Sequence, residues 1–193
     1  MVKALPRSFY DRSTLKVARD LIGARLVRIL DGQKLVGIIT ETEAYIGQND
    51  LACHAKAGLT PRTAVMFGEP GHAYVYFTYG NHWMLNVVAE RQGFPAAVLI
   101  RAIRPVEGVE IMLERRHGRD TLGPGKLCQA MGITKNENGI DLTKRNGSLW
   151  IEEGIKVPNS RVTKGPRVGL NNTPEPWLSK PWRFRTTDKA EKE

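Results

Sequence analysis

Two glutamates and one arginine stand where their residue types and spacing can do chemistry. Glu41 and Glu43 are two positions apart in a stretch that reads as a strand, so period-2 alternation points both to one face, together with Ile39 and Tyr45. Arg101 lies inside the apolar run Ala96-Ala97-Val98-Leu99-Ile100-Arg101-Ala102-Ile103. A guanidinium facing a sheet interior needs a carboxylate to offset its desolvation, and Glu43 and Glu41 are the candidates. A glutamate held by an arginine at a pocket edge is how a water-activating base is oriented. A purely structural ion pair, or a strand end emerging into solvent, uses the same residues.

The second constellation is aromatic. His72-Ala73-Tyr74-Val75-Tyr76-Phe77-Thr78-Tyr79-Gly80-Asn81-His82-Trp83 puts Tyr74 and Tyr76 on one strand face, with a turn at Gly80-Asn81 and Tyr79 at the tip of a protruding hairpin. Facing tyrosines offer stacking surfaces for a flat, electron-poor ring, and a tip aromatic on a basic chain suits a wedge inserted into a base stack. Cross-strand packing explains Phe77 and Trp83 and is the alternative for Tyr79.

Charge indicates the partner class. The chain has 29 Lys+Arg against 20 Asp+Glu, a net +9 over 193 residues, which favours a polyanion. Within this basic background, residues 35–55 contain Glu41, Glu43 and Asp50 and no lysine or arginine. His54, His72, His82 and His117 lack metal-ligand spacing, so no metal is expected. Gly123-Pro124-Gly125-Lys126-Leu127 has neither the upstream glycine nor the following Ser/Thr of a P-loop, although its amides at a helix start can hold one phosphate. Cys53 and Cys128 form no C-x-x-C pair, and no apolar stretch approaches a membrane span; the expectation is a cytoplasmic protein, nucleoid-associated if bacterial.

The elements that must position these residues follow from periodicity. A helix is predicted after Ser13 or Asp11 with Leu15, Ala18 and Ile22 on one face, then a hairpin of strands over 24–30 and 34–45 around Asp31-Gly32. Strands are predicted over 73–79, 83–89 and 96–103, a helix over 106–116 with Pro105 at its entrance, and a short helix over 125–131. Short strands follow near 149–151, 161–170 and 182–185. The organisation is one domain, 1–186, and a frayed charged tail, 187–193.

Glu41-Thr42-Glu43-Ala44-Tyr45 followed by His54, then Met66-Phe67, Tyr74-Val75-Tyr76-x-x-Tyr79-Gly80, Asn86, Leu99-x-Arg101-Ala102, Gly123-Pro124-Gly125-Lys126-Leu127 and Arg167-Val168-Gly169 closely resemble, in this order, the alkyladenine (3-methyladenine) DNA glycosylase family of mammalian type. The likeness runs from about residue 5 to 184. It implies a single mixed α+β domain with a curved antiparallel sheet, flanking helices and a hairpin that enters the DNA minor groove. It also implies a monofunctional hydrolase, without lyase activity, that flips alkylated or deaminated purines from duplex DNA and cleaves the N-glycosidic bond. By this resemblance Glu43 is the general base and Arg101 helps hold the nucleophilic water, with a backbone carbonyl near Val168 as a further contact. Tyr45, His54 and Tyr76 are walls around the flipped base, Asn86 screens purines and Tyr79 intercalates. Lys126, beside the amides of the helix start, is expected to meet the DNA backbone. No cofactor, no membrane and a monomer are expected. Asn81-His82 depart from the more apolar residues that follow Tyr-Gly in the family. A carbohydrate hydrolase using Glu41 and Glu43, or a non-catalytic nucleic-acid-binding module, remains the alternative.

The hairpin sets a further expectation. A two-residue turn would put Tyr76 and Asn86 on opposite sheet faces, whereas a three-residue connection, 80–82, pairs Tyr79 with Trp83 and Tyr76 with Asn86. An odd-length loop or a bulge is therefore expected, with Tyr76 and Asn86 on the pocket face and Tyr79 outside it.

Overall fold

Residues Gln33–Ile46 (β2), rich in β-branched side chains, form the strand around which the others are arranged. The computed structural model describes residues 2–78, 80–170 and 172–186. Strand β1 (Arg25–Leu30) joins β2 through Asp31 and Gly32, whose φ angles of 50° and 76° are those a two-residue hairpin turn requires. Strand β5 (Ala96–Glu107) runs antiparallel along the other edge of β2. Beyond β5 come β4 (His82–Val88) and β3 (Ala73–Thr78), and beyond β1 comes β6 (Leu149–Glu152). On the β1 edge, β1 covers only the first half of β2, and β8 (Arg183–Thr186), itself paired with β7 (Val162–Gly165), covers residues 41–43. The outcome is a mixed α+β domain built on a curled antiparallel sheet.

Helices close one face. The helices are α1 (Arg7–Tyr10), α2 (Thr14–Asp20), α3 (Val109–Arg115) and α4 (Pro124–Met131). Val17 and Ala18 of α2 and Leu127 and Met131 of α4 pack with Ile39, Leu85, Ile100 and Ile103 of the sheet in the main core. Helix α4 opens with Pro124 at its first position and stops at Gly132, which takes the left-handed conformation.

The ladder between β2 and β5 is irregular near its Gly37 end and again between Ile39 and Thr42, and this second break positions the site. Ile39 pairs with Ile103 and Thr42 with Ile100, while between them Glu41 pairs with Ala102, leaving Thr40 and Arg101 as one extra residue on each strand. Core-facing residues are therefore three apart on both strands: Ile39 and Ile103 lie in the core, as does Ile100, and Thr42 is buried with its hydroxyl donating to the Ala18 carbonyl of α2. The paired irregularity exchanges the faces of both strands at once. The expectation that Ile39 shares a face with Glu41, Glu43 and Tyr45 is thus corrected, because strict alternation does not cross a bulge.

Other departures have local causes. The helix expected from residue 106 begins at Val109, because β5 continues to Glu107 and Pro105 lies within it, opposite Gly37 at a bulge where a missing N–H is tolerated. The strand expected over 161–170 stops at Gly165. The hairpin connection is odd-length, but Thr78 pairs with His82 and Phe77 with Trp83, so Tyr76 stands opposite Met84 and Tyr74 opposite Asn86. The expected pairs shift by two residues while the faces are kept. The tail, 187–193, lies outside the described residues.

Candidate functional site

A cavity of about 440 Å³ opens on the sheet face opposite the main core, within the range of small-ligand pockets, about 300–1,000 Å³. Its lining brings together Tyr45, His54, Tyr76, Asn86, Arg101, Lys126 and Val168. These come from β2, the short 3-10 turn His54–Ala57, the β3–β4 hairpin, β5, the start of α4 and the loop after β7. Tyr79 lies outside the described residues.

Glu43 stands behind this lining with no exposed side-chain surface. Its Oε1 accepts a 2.7 Å hydrogen bond from the Val168 amide, and its Oε2 accepts one from the Tyr45 hydroxyl at 2.9 Å and one from Arg101 Nη1 at 3.3 Å. Arg101 Nε donates to Glu41 Oε1 at 3.0 Å, which also accepts from Arg183 Nη1 at 3.2 Å. Of the two carboxylates expected as partners of Arg101, the structure places both there. Val168 meets Glu43 through its amide nitrogen.

Burial pushes the Glu43 carboxyl above the ordinary glutamate range, although the Arg101 charge, the Val168 amide and the Tyr45 hydroxyl each pull it down. Tyr45 is pushed well above the phenol range by burial and by the adjacent Glu43, so it keeps its proton and remains a donor. A carboxylate of raised basicity next to a guanidinium, at the back of a cavity, can take a proton from water.

The cavity walls are aromatic. Tyr74 and Tyr76 have ring centroids 5.4 Å apart, and His54 meets Tyr76 edge-on at 4.6 Å. His54 Nδ1 is 3.0 Å from the Tyr74 hydroxyl. Burial, with the Arg62 and Lys56 cations nearby, lowers the His54 imidazole to about 4, so it is neutral near pH 7. Asn86 is buried and its Nδ2 donates to the Tyr74 carbonyl at 3.0 Å. Cys53 also lines the cavity, but burial pushes its thiol up to about 12, which leaves no thiolate for nucleophilic chemistry. Lys126 stands at the rim with Nζ 3.0 Å from Asp120 Oδ1, an exposed pair. Among the described residues no group of three or more His, Cys, Asp or Glu side chains is placed to hold a metal, and no helix is long and apolar enough to cross a membrane.

Sequence reasoning missed the support behind Glu43. Arg167 and Asp50 form a fully buried bidentate pair, with Nη1 2.5 Å from Oδ2 and Nη2 2.9 Å from Oδ1. The partners are 117 positions apart, and the available signal was a lone aspartate in a stretch devoid of cations.

Residues 8–190 match the family described as "Methylpurine-DNA glycosylase (MPG)". The chain is 52% identical over 185 residues to a protein of Methanocella arvoryzae, covering 93% of this chain and 90% of that one. It is 50% identical over 184 residues to one of Myxococcus xanthus, covering 95% and 90%, and 46% identical over 194 residues to one of Bacillus thuringiensis, covering 93% of each. All three relatives carry the name "Putative 3-methyladenine DNA glycosylase".

Proposed function

Because this chain belongs to the methylpurine-DNA glycosylase family, we propose that it removes damaged purines from duplex DNA by hydrolysing the N-glycosidic bond with water activated by Glu43. The observation that carries the reading is the buried Glu43 carboxylate, held by Arg101, the Val168 amide and the Tyr45 hydroxyl at the back of an aromatic cavity. A purine inside a base stack cannot reach such a cavity, so the nucleotide is extruded and its base enters between Tyr45, His54 and Tyr76. Tyr79 occupies the vacated space, the basic surface and Lys126 meet phosphates, and the protein acts as a monomer without metal or cofactor.

In the chemical step the bond between C1′ and the purine nitrogen breaks and its electron pair leaves with the base. A cationic alkylpurine departs as a neutral base, which makes it a good leaving group, and as a cation it stacks well on electron-rich tyrosines. Glu43 takes a proton from the water whose oxygen bonds to C1′, and its negative charge stabilises the oxocarbenium-like sugar that develops. Arg101, anchored by Glu41, fixes the carboxylate that receives the proton. The product is an abasic site on an unbroken strand, because no lysine forms a Schiff base with the sugar.

The test is release of 3-methyladenine from methylated duplex, followed by borohydride. Free base with no trapped protein–DNA adduct is expected. Binding without release would leave a non-catalytic nucleic-acid-binding module, and a trapped adduct would overturn the water mechanism.

A further inference from the structure

We infer that the buried Asp50–Arg167 pair is a positioning device that holds residues 166–168 against β2 and thereby sets the hydrogen bonds on Glu43. The inference rests on the proposed role of Glu43 as base and names the residues that tune it.

Three consecutive residues carry the argument. Arg167 Nη1 donates at 3.0 Å to the carbonyl of Ala44, the residue between Glu43 and Tyr45, and the next residue, Val168, donates its amide to Glu43 Oε1. The Arg167 guanidinium also lies 4.7 Å from the Tyr45 ring centroid, and the Tyr45 hydroxyl donates to Glu43 Oε2. The preceding Pro166 accepts a 2.9 Å hydrogen bond from Arg183 Nε, and Arg183 in turn holds Glu41, the anchor of Arg101. Each of the three groups that contact Glu43 is therefore tied to this one loop. Asp50 fixes the other end, since it accepts from the Ile46 and Ala52 amides and closes the turn that leads to His54.

A purely stabilising role accounts poorly for these residues. A fully buried ion pair is weak evidence of stability, since well-packed apolar groups of similar volume often serve as well or better. The Arg167 Nη groups donate to Asp50, to the Ala44 carbonyl and to the Trp177 carbonyl, while its Nε is buried without a hydrogen-bond partner, so the donors that are satisfied are those that tie this loop to β2 and to the 46–52 turn. What its geometry does secure is the register of residues 166–168 on residues 43–45. Lysine at this position keeps the charge but loses the planar bidentate grip.

The experiment compares wild type with Arg167→Lys, reading the pH profile of single-turnover base release and, independently of activity, the pH titration of the Glu43 carboxyl carbon by NMR in the free protein. Loss of the Val168 hydrogen bond disfavours the carboxylate, so both the acidic limb and the carboxyl titration should move up by about one pH unit. Release should be lowered most at acidic pH and recover at alkaline pH, with half-saturating DNA concentration unchanged. A folded variant with wild-type profile and titration overturns the inference. If Arg167→Lys does not fold, Asp50→Glu keeps both charges while displacing the loop by one methylene and is held to the same criterion. If neither folds, the pair is a staple and the positioning role is refuted. Should the wild type release no base, the proposed function fails while the carboxyl titration still decides this inference.

Discussion

Replacing Glu43 by glutamine should move stability and activity in opposite directions. Glutamine keeps the shape: its Oε1 still accepts from the Val168 amide, and its NH₂ can donate to the Tyr45 hydroxyl. Arg101 loses the acceptor at 3.3 Å but keeps Glu41 at 3.0 Å, a loss of about 1.5–3 kcal/mol for a hydrogen bond between charged groups. Against this stands a carboxylate with no exposed surface, whose desolvation costs several kcal/mol. The raised pKa of Glu43 decides the balance, because burial outweighs its favourable contacts. The folded chain holds this proton more tightly than the unfolded chain does, so stability present below the ordinary glutamate value of 4.5 is lost as pH rises through the folded value. Glutamine mimics the protonated state. The variant should therefore melt above wild type at neutral and alkaline pH, each kcal/mol relieved being worth about 2–4 °C, and the gain should vanish below pH 4.5. Base release should fall by about 10²–10⁴-fold with binding to lesion-bearing duplex retained. Thermal melts at two pH values and single-turnover release of 3-methyladenine check both parts. A variant that melts lower at neutral pH would refute the burial argument, and one that keeps its activity would refute the assignment of the base.

Duplex affinity should fall log-linearly with salt, losing about a thousandfold or more between 50 and 200 mM if six or more phosphates are contacted, as fluorescence anisotropy will show; a flat response removes DNA as the partner. Asn86→Ala should raise excision of guanine derivatives relative to adenine ones, because the buried amide lining the cavity excludes a 2-amino group by steric conflict; unchanged relative rates on paired substrates would contradict this. The lowered His54 pKa means that the folded chain binds this proton less tightly than the unfolded chain, so stability is lost as pH falls from 6.5 towards about 4. Imidazole NMR signals of His54 that titrate near 6.5 would contradict its burial among cations.

The charged centre was legible because Arg101 is a lone charge inside an apolar strand and so must find a carboxylate, and Glu41 and Glu43, two apart on a neighbouring strand, supply two on one face. The faces of β2 were only half legible. Glu41, Glu43 and Tyr45 share a side as alternation requires, but the step between Ile39 and Glu41 depends on a bulge made jointly with β5, and no single strand announces it. Pro105 misled for a similar reason, since proline at a helix entrance and proline at a strand bulge look alike in sequence. The odd-length hairpin connection followed from requiring Tyr76 and Asn86 on one face, yet the connection lies one residue earlier than expected, with Gly80 at φ 70° inside it. The pair Asp50 and Arg167 went unread because a lone aspartate in a stretch without cations signals that a partner is needed but not which distant arginine supplies it.

The matched extra residues at Thr40 and Arg101 impose a constraint on chain length that no inventory of conserved side chains would reveal. A regular strand of equal length grafted over residues 39–42 would carry Glu43 round to the α2 side and Ala44 into the cavity, with every side chain of the site still present in the sequence. Segments 36–46 and 96–107 therefore have to be exchanged together in any chimaera with a relative. A one-residue gap in one of them predicts a compensating gap in the other, a covariation of spacing rather than of residue identity.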